Sequence, residues 1–195
     1  MSILNFHFMG EFYKQISATQ KAFIKNQHMY FVGTAPLSGD GHINVSPKGL
    51  DSFRVINPNQ VAYIDVISSG NETSAHVLEN GRITIMFCSF DKKPLILKLY
   101  GKGETILPSN EKWDTYSRGF DVYESTRQII VVDVELVQSS CGFGVPRYDF
   151  IEHRDIHFSW AAQKGSEGLS HYIDENNLIS LDGLPTALGL ERNKI

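Results

Sequence analysis

The sequence predicts a mainly β protein, an antiparallel barrel or sandwich with a few flanking helices. At least six segments rich in β-branched and aromatic residues follow one another along the chain. Few of the connections between them could hold the crossover helix that a parallel sheet requires. The 195 residues are 42% hydrophobic and 21% charged, which is the composition of an ordinary globular chain and excludes a largely disordered one.

Strands and short helices alternate in the first half of the chain. Ser17 and Gln20 have the spacing of a capping box, which predicts a helix start, and Gly81 is typical of a helix end. The turn residues 38–41 separate two β-rich segments and predict a hairpin. The predicted elements are a helix over residues 17–27, strands over 29–35, 43–46, 61–66 and 82–88, and a helix over 71–80.

The second half begins with a long predicted strand over residues 95–107, in which the glycines of 101–103 indicate a bulge or sharp bend. Ser109 is expected to cap a helix that carries Trp113, Tyr116 and Phe120 on its core-facing side. Residues 129–137 are β-branched almost throughout and predict the strongest strand of the chain. Helical pieces interrupted by Gly165 and Gly168 are expected toward the end.

Composition also limits the function classes. A net charge of −4 and a pI near 6.0 leave no broad basic surface, so no nucleic-acid partner is expected. Cys88 and Cys141 belong to no Cys-x-x-Cys pair and indicate neither a disulfide framework nor a zinc site. The first seven residues lack the features of a secretory signal, and no segment has membrane-spanning length, so a cytoplasmic protein is expected. We expect one domain over residues 1–195, with 139–195 as an extension packed on the barrel.

Two segments, residues 42–49 and 68–73, combine the residue types of a phosphate site. The second precedes a predicted helix, whose N-terminus would add the positive end of its dipole. The same segments also suit an ordinary turn and an ordinary helix cap. The groups that favour an anion are the Lys48 cation, the Ser46 and Thr73 hydroxyls, and the accessible backbone at Gly49 and Gly70.

Other polar residues have weaker interpretations. His153 and His157 would share one face of a helix and could hold a metal, but without a third ligand no metal site is predicted. His42 and His76 flank the phosphate motifs, either as proton donors or as solvated surface groups. Asp65 follows an apolar strand, where it could cap the next loop or bond a ligand hydroxyl.

Five groups of residues, in this order along the chain, form a recognisable set of motifs: 44–49, Asp65, 69–73, 79–87 and 100–103. The set resembles the pyridoxamine 5'-phosphate oxidase-like FMN-binding split-barrel family. The resemblance covers roughly residues 30–137, and the order of its motifs makes it fairly specific.

The resemblance implies a six-stranded antiparallel split β-barrel that forms a homodimer, with two FMN sites shared between the subunits. Glu72 and Thr73 stand where the family usually has a basic pair for the FMN phosphate. Lys48 would then supply most of the positive charge, alone or together with Arg82 or Lys98. Tyr63 is interpreted either as a contact of the flavin ring or as a core residue. The expected cofactor-binding residues are Asn44, Val45, Ser46, Pro47, Lys48, Gly49, Tyr63, Ile64, Ser69, Gly70, Asn71, Glu72 and Thr73.

The function that follows from the resemblance is an FMN-binding oxidoreductase that transfers hydride between the flavin and an unidentified small organic substrate. No catalytic side chain is singled out. One alternative is a split-barrel protein that binds flavin or haem without turnover, and another is a structural dimer without a cofactor.

Overall fold

The computed structural model describes residues 10–192, so the first seven residues, used above for the expected location, lie outside the described part. Two short strands within it, β1 and β4, were not predicted. The elements, in chain order, are β1 (Glu11–Tyr13), α1 (Ala18–Lys25), β2 (Tyr30–Thr34), β3 (Asn44–Lys48), β4 (Phe53–Asn57), β5 (Gln60–Val66), α2 (Glu72–Asn80), β6 (Arg82–Cys88), β7 (Ile96–Ile106), α3 (Trp113–Ser117), β8 (Thr126–Ser140), α4 (Ile156–Asn176) and α5 (Ala187–Glu191).

The eight strands of the described part form one antiparallel sheet, in the order β3-β2-β6-β7-β8-β5-β4, with β1 also paired to β8. The predicted fold class is therefore confirmed, with eight strands where six were expected. The strand β8 is long enough, at 15 residues, to pair with β7 and with β5. The predicted hairpin is formed by β2 and β3.

Local sequence signals explain several of these elements. Ser17 and Gln20 form the predicted capping box, since the Ser17 amide donates to Gln20 Oε1 (2.8 Å) and the Gln20 amide donates to Ser17 Oγ (3.2 Å). Gly81 ends α2 in the left-handed conformation, with φ of 73°, that glycine adopts without strain.

The predicted bulge lies in β7, where the register with β8 shifts between Tyr100 and Gly101. A Cβ atom on Gly101 would lie only 2.0 Å from the carbonyl oxygen of Asp133, so a side chain there would push the two strands apart. The glycine therefore permits the close strand contact at which the sheet bends.

Two sequence predictions about helices are wrong. Ser109 does not cap α3, because its hydroxyl donates to Glu191, and Phe120 lies beyond the end of that five-residue helix. Gly165 (φ 62°) kinks α4, as predicted, but Gly168 does not interrupt it. Glycine is tolerated inside a helix at a cost of about 1 kcal/mol, which packing of the apolar face can offset.

The main core lies inside the sheet, where the Tyr30 ring contacts the rings of Phe53, Tyr63 and Phe87, and Phe53 also contacts Phe87. A second apolar cluster joins the C-terminal part to the sheet. It contains Ile67, Leu107, Ala161, Leu169, Ile173, Leu178 and Leu188. That the chain forms a single domain stays a prediction. Within residues 10–192, no helix is long and apolar enough to cross a membrane.

Candidate functional site

Lys48 is the last residue of β3, and its ammonium group donates a hydrogen bond of 2.6 Å to Asp65 Oδ1. Asp65 lies near the end of β5 and is almost fully buried, whereas 19% of the Lys48 side chain is exposed. The ammonium group also lies 5.8 Å from the centre of the Tyr63 ring. Lys48 is thus held at the surface of the sheet and does not extend into bulk solvent.

Asp65 is surrounded by donors from the start of β8. Arg127 Nε and Gln128 Nε2 each donate to Asp65 Oδ2, at 2.9 Å. Burial by itself would raise the pKa of Asp65, but the charges of Arg127 and Lys48 outweigh it and hold that pKa well below its usual range. Two cations and one carboxylate leave one net positive charge on this group.

Arg127 is a site residue that the sequence analysis missed. Its other donors reach Gly70 O (2.8 Å), Asn177 Oδ1 (2.8 Å) and Ser68 Oγ (3.3 Å). A guanidinium has five N–H donors, of which four are hydrogen-bonded here, and Arg127 Nη2 also lies 2.9 Å from Asp65 Oδ2 as an ion pair. One sequence signal could have identified it. Arg127 lies near the start of a strongly apolar strand, and an arginine buried there must have polar or charged partners.

The start of α2 is engaged with the rest of the chain. Asn71 does not cap the helix but is buried, where it accepts from Gln128 Nε2 (2.7 Å) and donates to Asn177 O (3.3 Å). The Glu72 carboxylate accepts from the Leu181 amide (3.0 Å), and Thr73 Oγ1 accepts from Asn44 Nδ2 (3.1 Å).

The predicted site residues therefore fall into two groups. Asn44 and Ser46 lie near the start of α2, with Ser46 Oγ donating to Asn44 Oδ1 (3.1 Å). Lys48 lies with Asp65 and is connected to Asn71 indirectly, through Gln128 and through Arg127 and Asn177.

The remaining predicted residues lie apart from both groups or beside a cavity. The Tyr63 side chain is buried in the core, Val45 and Ser69 are exposed, and Gly70 is partly exposed. Ile64 lines a small cavity of about 180 Å³.

Two cavities lie on either side of the turn that follows β3. The larger has a volume of about 880 Å³, and the smaller has a volume of about 180 Å³. Residues 47–50, which include Lys48, line both. The larger volume lies within the range of about 300–1,000 Å³ that small-molecule and cofactor sites occupy.

Aromatic rings form one wall of the larger cavity. The His28 ring stacks on Phe150, with centres 3.7 Å apart and an angle of 9° between the planes, and His153 contacts both rings. Tyr148 contacts Phe90 on the same wall. These rings give the wall flat aromatic faces that are suited to stacking on a planar ligand.

Three of the four histidines differ from their sequence interpretations. His153 precedes α4, so it does not share a helix face with His157, whose Nε2 lies 3.0 Å from Ser125 Oγ. His76 is buried, not solvated, and its Nδ1 lies 3.0 Å from Thr34 Oγ1. Burial lowers the pKa of both His76 and His157, which favours neutral rings. The exposed His42 pairs with Asp182 at 2.6 Å.

A family model described as pyridoxamine 5'-phosphate oxidase matches residues 16–141. The chain belongs to this family. It is also 38% identical, over 203 aligned positions, to the pyridoxamine 5'-phosphate oxidase family protein ustO of Aspergillus flavus, and the match covers 95% of this chain and 81% of that one. The resemblance inferred from the sequence motifs is therefore confirmed.

Solved structures show the same fold at low sequence identity. A histidine-to-alanine variant of HupZ from Group A Streptococcus is 21% identical, with a TM-score of 0.51 and coverage of 64% of this chain and 98% of that one. A candidate pyridoxamine 5'-phosphate oxidase from Lactobacillus delbrueckii is 14% identical, with a TM-score of 0.50 and coverage of 64% and 94%. Both cover about two thirds of this chain and support the split-barrel fold alone.

Proposed function

We propose that the protein is an FMN-binding oxidoreductase that transfers hydride between the flavin and a small organic substrate. The observation that carries this proposal is the cavity of about 880 Å³ beside the end of β3, with the Lys48 cation on its wall. Membership of the pyridoxamine 5'-phosphate oxidase family makes a flavin the favoured occupant.

The cavity fits such a cofactor in size and chemistry. Lys48 has three N–H donors, and Asp65 is its one hydrogen-bond partner among the described residues, so two remain for an anionic group. Phe31 and Phe150 supply apolar walls that would exclude water. A bound flavin would supply the hydride chemistry, while these side chains would bind it, orient it and limit solvent access.

Of the thirteen predicted cofactor residues, Pro47, Lys48 and Gly49 line the larger cavity and Ile64 lines the smaller one. We propose the three residues of the larger cavity as the contacts nearest the flavin. The other ten, Ile64 among them, stay predictions.

We further propose a cytoplasmic homodimer, as the resemblance and the sequence predict. The edge strand β3 supports the dimer, because Val45 on it and Ile43 just before it are large apolar side chains with most of their surface exposed. An exposed edge with apolar side chains is a natural site for association with another chain.

A second candidate is a protein that binds flavin or haem without turnover. The imidazoles of His28 and His153 on the aromatic wall favour this candidate, because a histidine is the commonest kind of axial ligand for haem iron.

Absorption spectra of the purified protein, before and after addition of FMN or haem, identify the bound cofactor. Loss of the flavin absorbance on addition of NADH or NADPH, and its return with an acceptor, separates turnover from binding alone. We expect flavin absorbance and saturable FMN binding. Lys48→Met should weaken FMN binding by about 10- to 100-fold, since a charged hydrogen bond contributes about 1.5–3 kcal/mol. Lys93→Met, on an exposed loop, is the matched control and should bind as the wild type does. Haem uptake without FMN uptake would select the second candidate, and binding of neither would reject both.

A further inference from the structure

We infer that the segment of residues 177–187 seals the start of α2 against anions, so that the flavin phosphate contacts Lys48 instead. This inference rests on the proposed flavin function and departs from the prediction that residues 71–73 bind the phosphate. It assigns the C-terminal extension a role in setting where the anionic end of the ligand lies.

The first reason is that Glu72 already places a carboxylate at the first turn of α2. A negative charge there interacts favourably with the helix dipole, as a bound anion would. Glu72 Oε2 accepts from the Leu181 amide, and Oε1 lies 3.2 Å from the position that a Cβ on Gly70 would occupy. The Glu72 side chain therefore occupies the space beside Gly70 through which an external anion could have approached the backbone.

The second reason is that the neighbouring polar groups are used within the chain. Asn71 is buried between Gln128 and the backbone of Asn177. Thr73 accepts from Asn44, and Ser74 Oγ accepts from the Ala187 amide at 3.1 Å. A phosphate at this position would have to break several of these bonds.

The covering segment is anchored along its length. Ile179 and Pro185 form an isolated β-bridge, and the Ser180 amide donates to Leu184 O at 2.8 Å, which closes a hairpin. Asp182 in this hairpin accepts from the His42 amide at 2.7 Å. The hairpin is followed by Leu188, which belongs to the second apolar cluster. The seal is thus part of the packed structure.

Electrostatics favours the alternative position. A phosphate dianion beside the Glu72 carboxylate would be repelled, whereas the group formed by Lys48, Arg127 and Asp65 carries one net positive charge. The Arg127 side chain is only 3% exposed and makes four hydrogen bonds within the chain, so within this group Lys48 is the cation with donors available to a ligand.

Comparing FMN with riboflavin isolates the phosphate, because the two ligands share the flavin ring and the ribityl chain. We expect the wild type to bind FMN at least about tenfold more tightly, the effect of one charged hydrogen bond. Lys48→Met should bring the two affinities within about twofold, while Glu72→Gln and Thr73→Val should leave the ratio unchanged. Equal affinities in the wild type would overturn the inference, as would a ratio that depends on Thr73 and not on Lys48.

Hydrogen exchange at the Leu181 amide tests the seal without any flavin. We expect protection of this amide in the wild type and its loss in Glu72→Ala, with the melting curve confirming that the variant is folded. An unprotected amide in the wild type would overturn the inference. A protected amide in a protein that binds neither flavin would leave the seal in place and reject the proposed function.

Discussion

Replacing Asp65 with asparagine should strongly destabilise the fold, because it removes the carboxylate that neutralises Arg127 and Lys48. Asp65 accepts from both of these residues and from Gln128 in an almost fully buried setting. Removing one partner of a buried ion pair costs about 3–5 kcal/mol. For a chain of this length, about 2–4 °C is lost per kcal/mol, so the melting temperature should fall by about 6–20 °C.

Urea denaturation of the wild type and of Asp65→Asn measures this difference directly. Since the pKa of Asp65 is lowered on folding, its contribution is present above the unfolded value of about 3.9 and is lost as the pH falls through the folded value. The loss in Asp65→Asn should therefore stay constant from about pH 5 to 8. The control is Asp51→Asn, which breaks the exposed pair with Arg54 and should cost no more than about 1 kcal/mol. A loss below about 1 kcal/mol in Asp65→Asn would refute the reasoning.

Three further substitutions test other parts of the fold by the same measurement. Gly101→Ala should lower the free energy of unfolding by at least about 1–3 kcal/mol, because the new Cβ would overpack against β8. Gly33→Ala is the control, since its Cβ would lie 3.9 Å from its nearest neighbour and would not overpack. Equal losses in the two variants would contradict this explanation. Ser17→Ala should cost about 1 kcal/mol by removing the cap of α1, and no change would show that the capping box is dispensable. Burial lowers the pKa of His76 in the folded state below its unfolded value near 6.5, so its contribution to stability is present above that pH and is lost on acidification. In His76→Gln the free energy of unfolding should therefore vary less between pH 7.5 and 5.5 than in the wild type. The same pH dependence in both proteins would contradict this prediction.

The features of the fold that the sequence predicted correctly depend on residues close together in the chain. The capping box of α1 involves Ser17 and Gln20, and the end of α2 depends on Gly81 alone. The bulge at Gly101 was likewise visible as a local break in a strand pattern. The strand β4 was missed, because its five residues have no buried alternation and form a strand only through pairing with β5.

The candidate site was predictable only in part. Lys48 was identified as its main cation, but the partner Asp65 was interpreted as a loop cap or ligand contact. Arg127 was missed because its partners lie about 60 residues before it and 50 residues after it, at Asp65 and Asn177. No local pattern reports such contacts. The hydrogen bond from the Leu181 amide to Glu72 joins residues 109 positions apart, and it could not be predicted from the sequence for the same reason.

The wall that the two cavities share has a consequence for small-molecule probes. Because residues 47–50 line both cavities, a compound that displaces this turn from one side also changes the shape of the cavity on the other side. Two compounds bound one in each cavity would therefore alter each other's affinity.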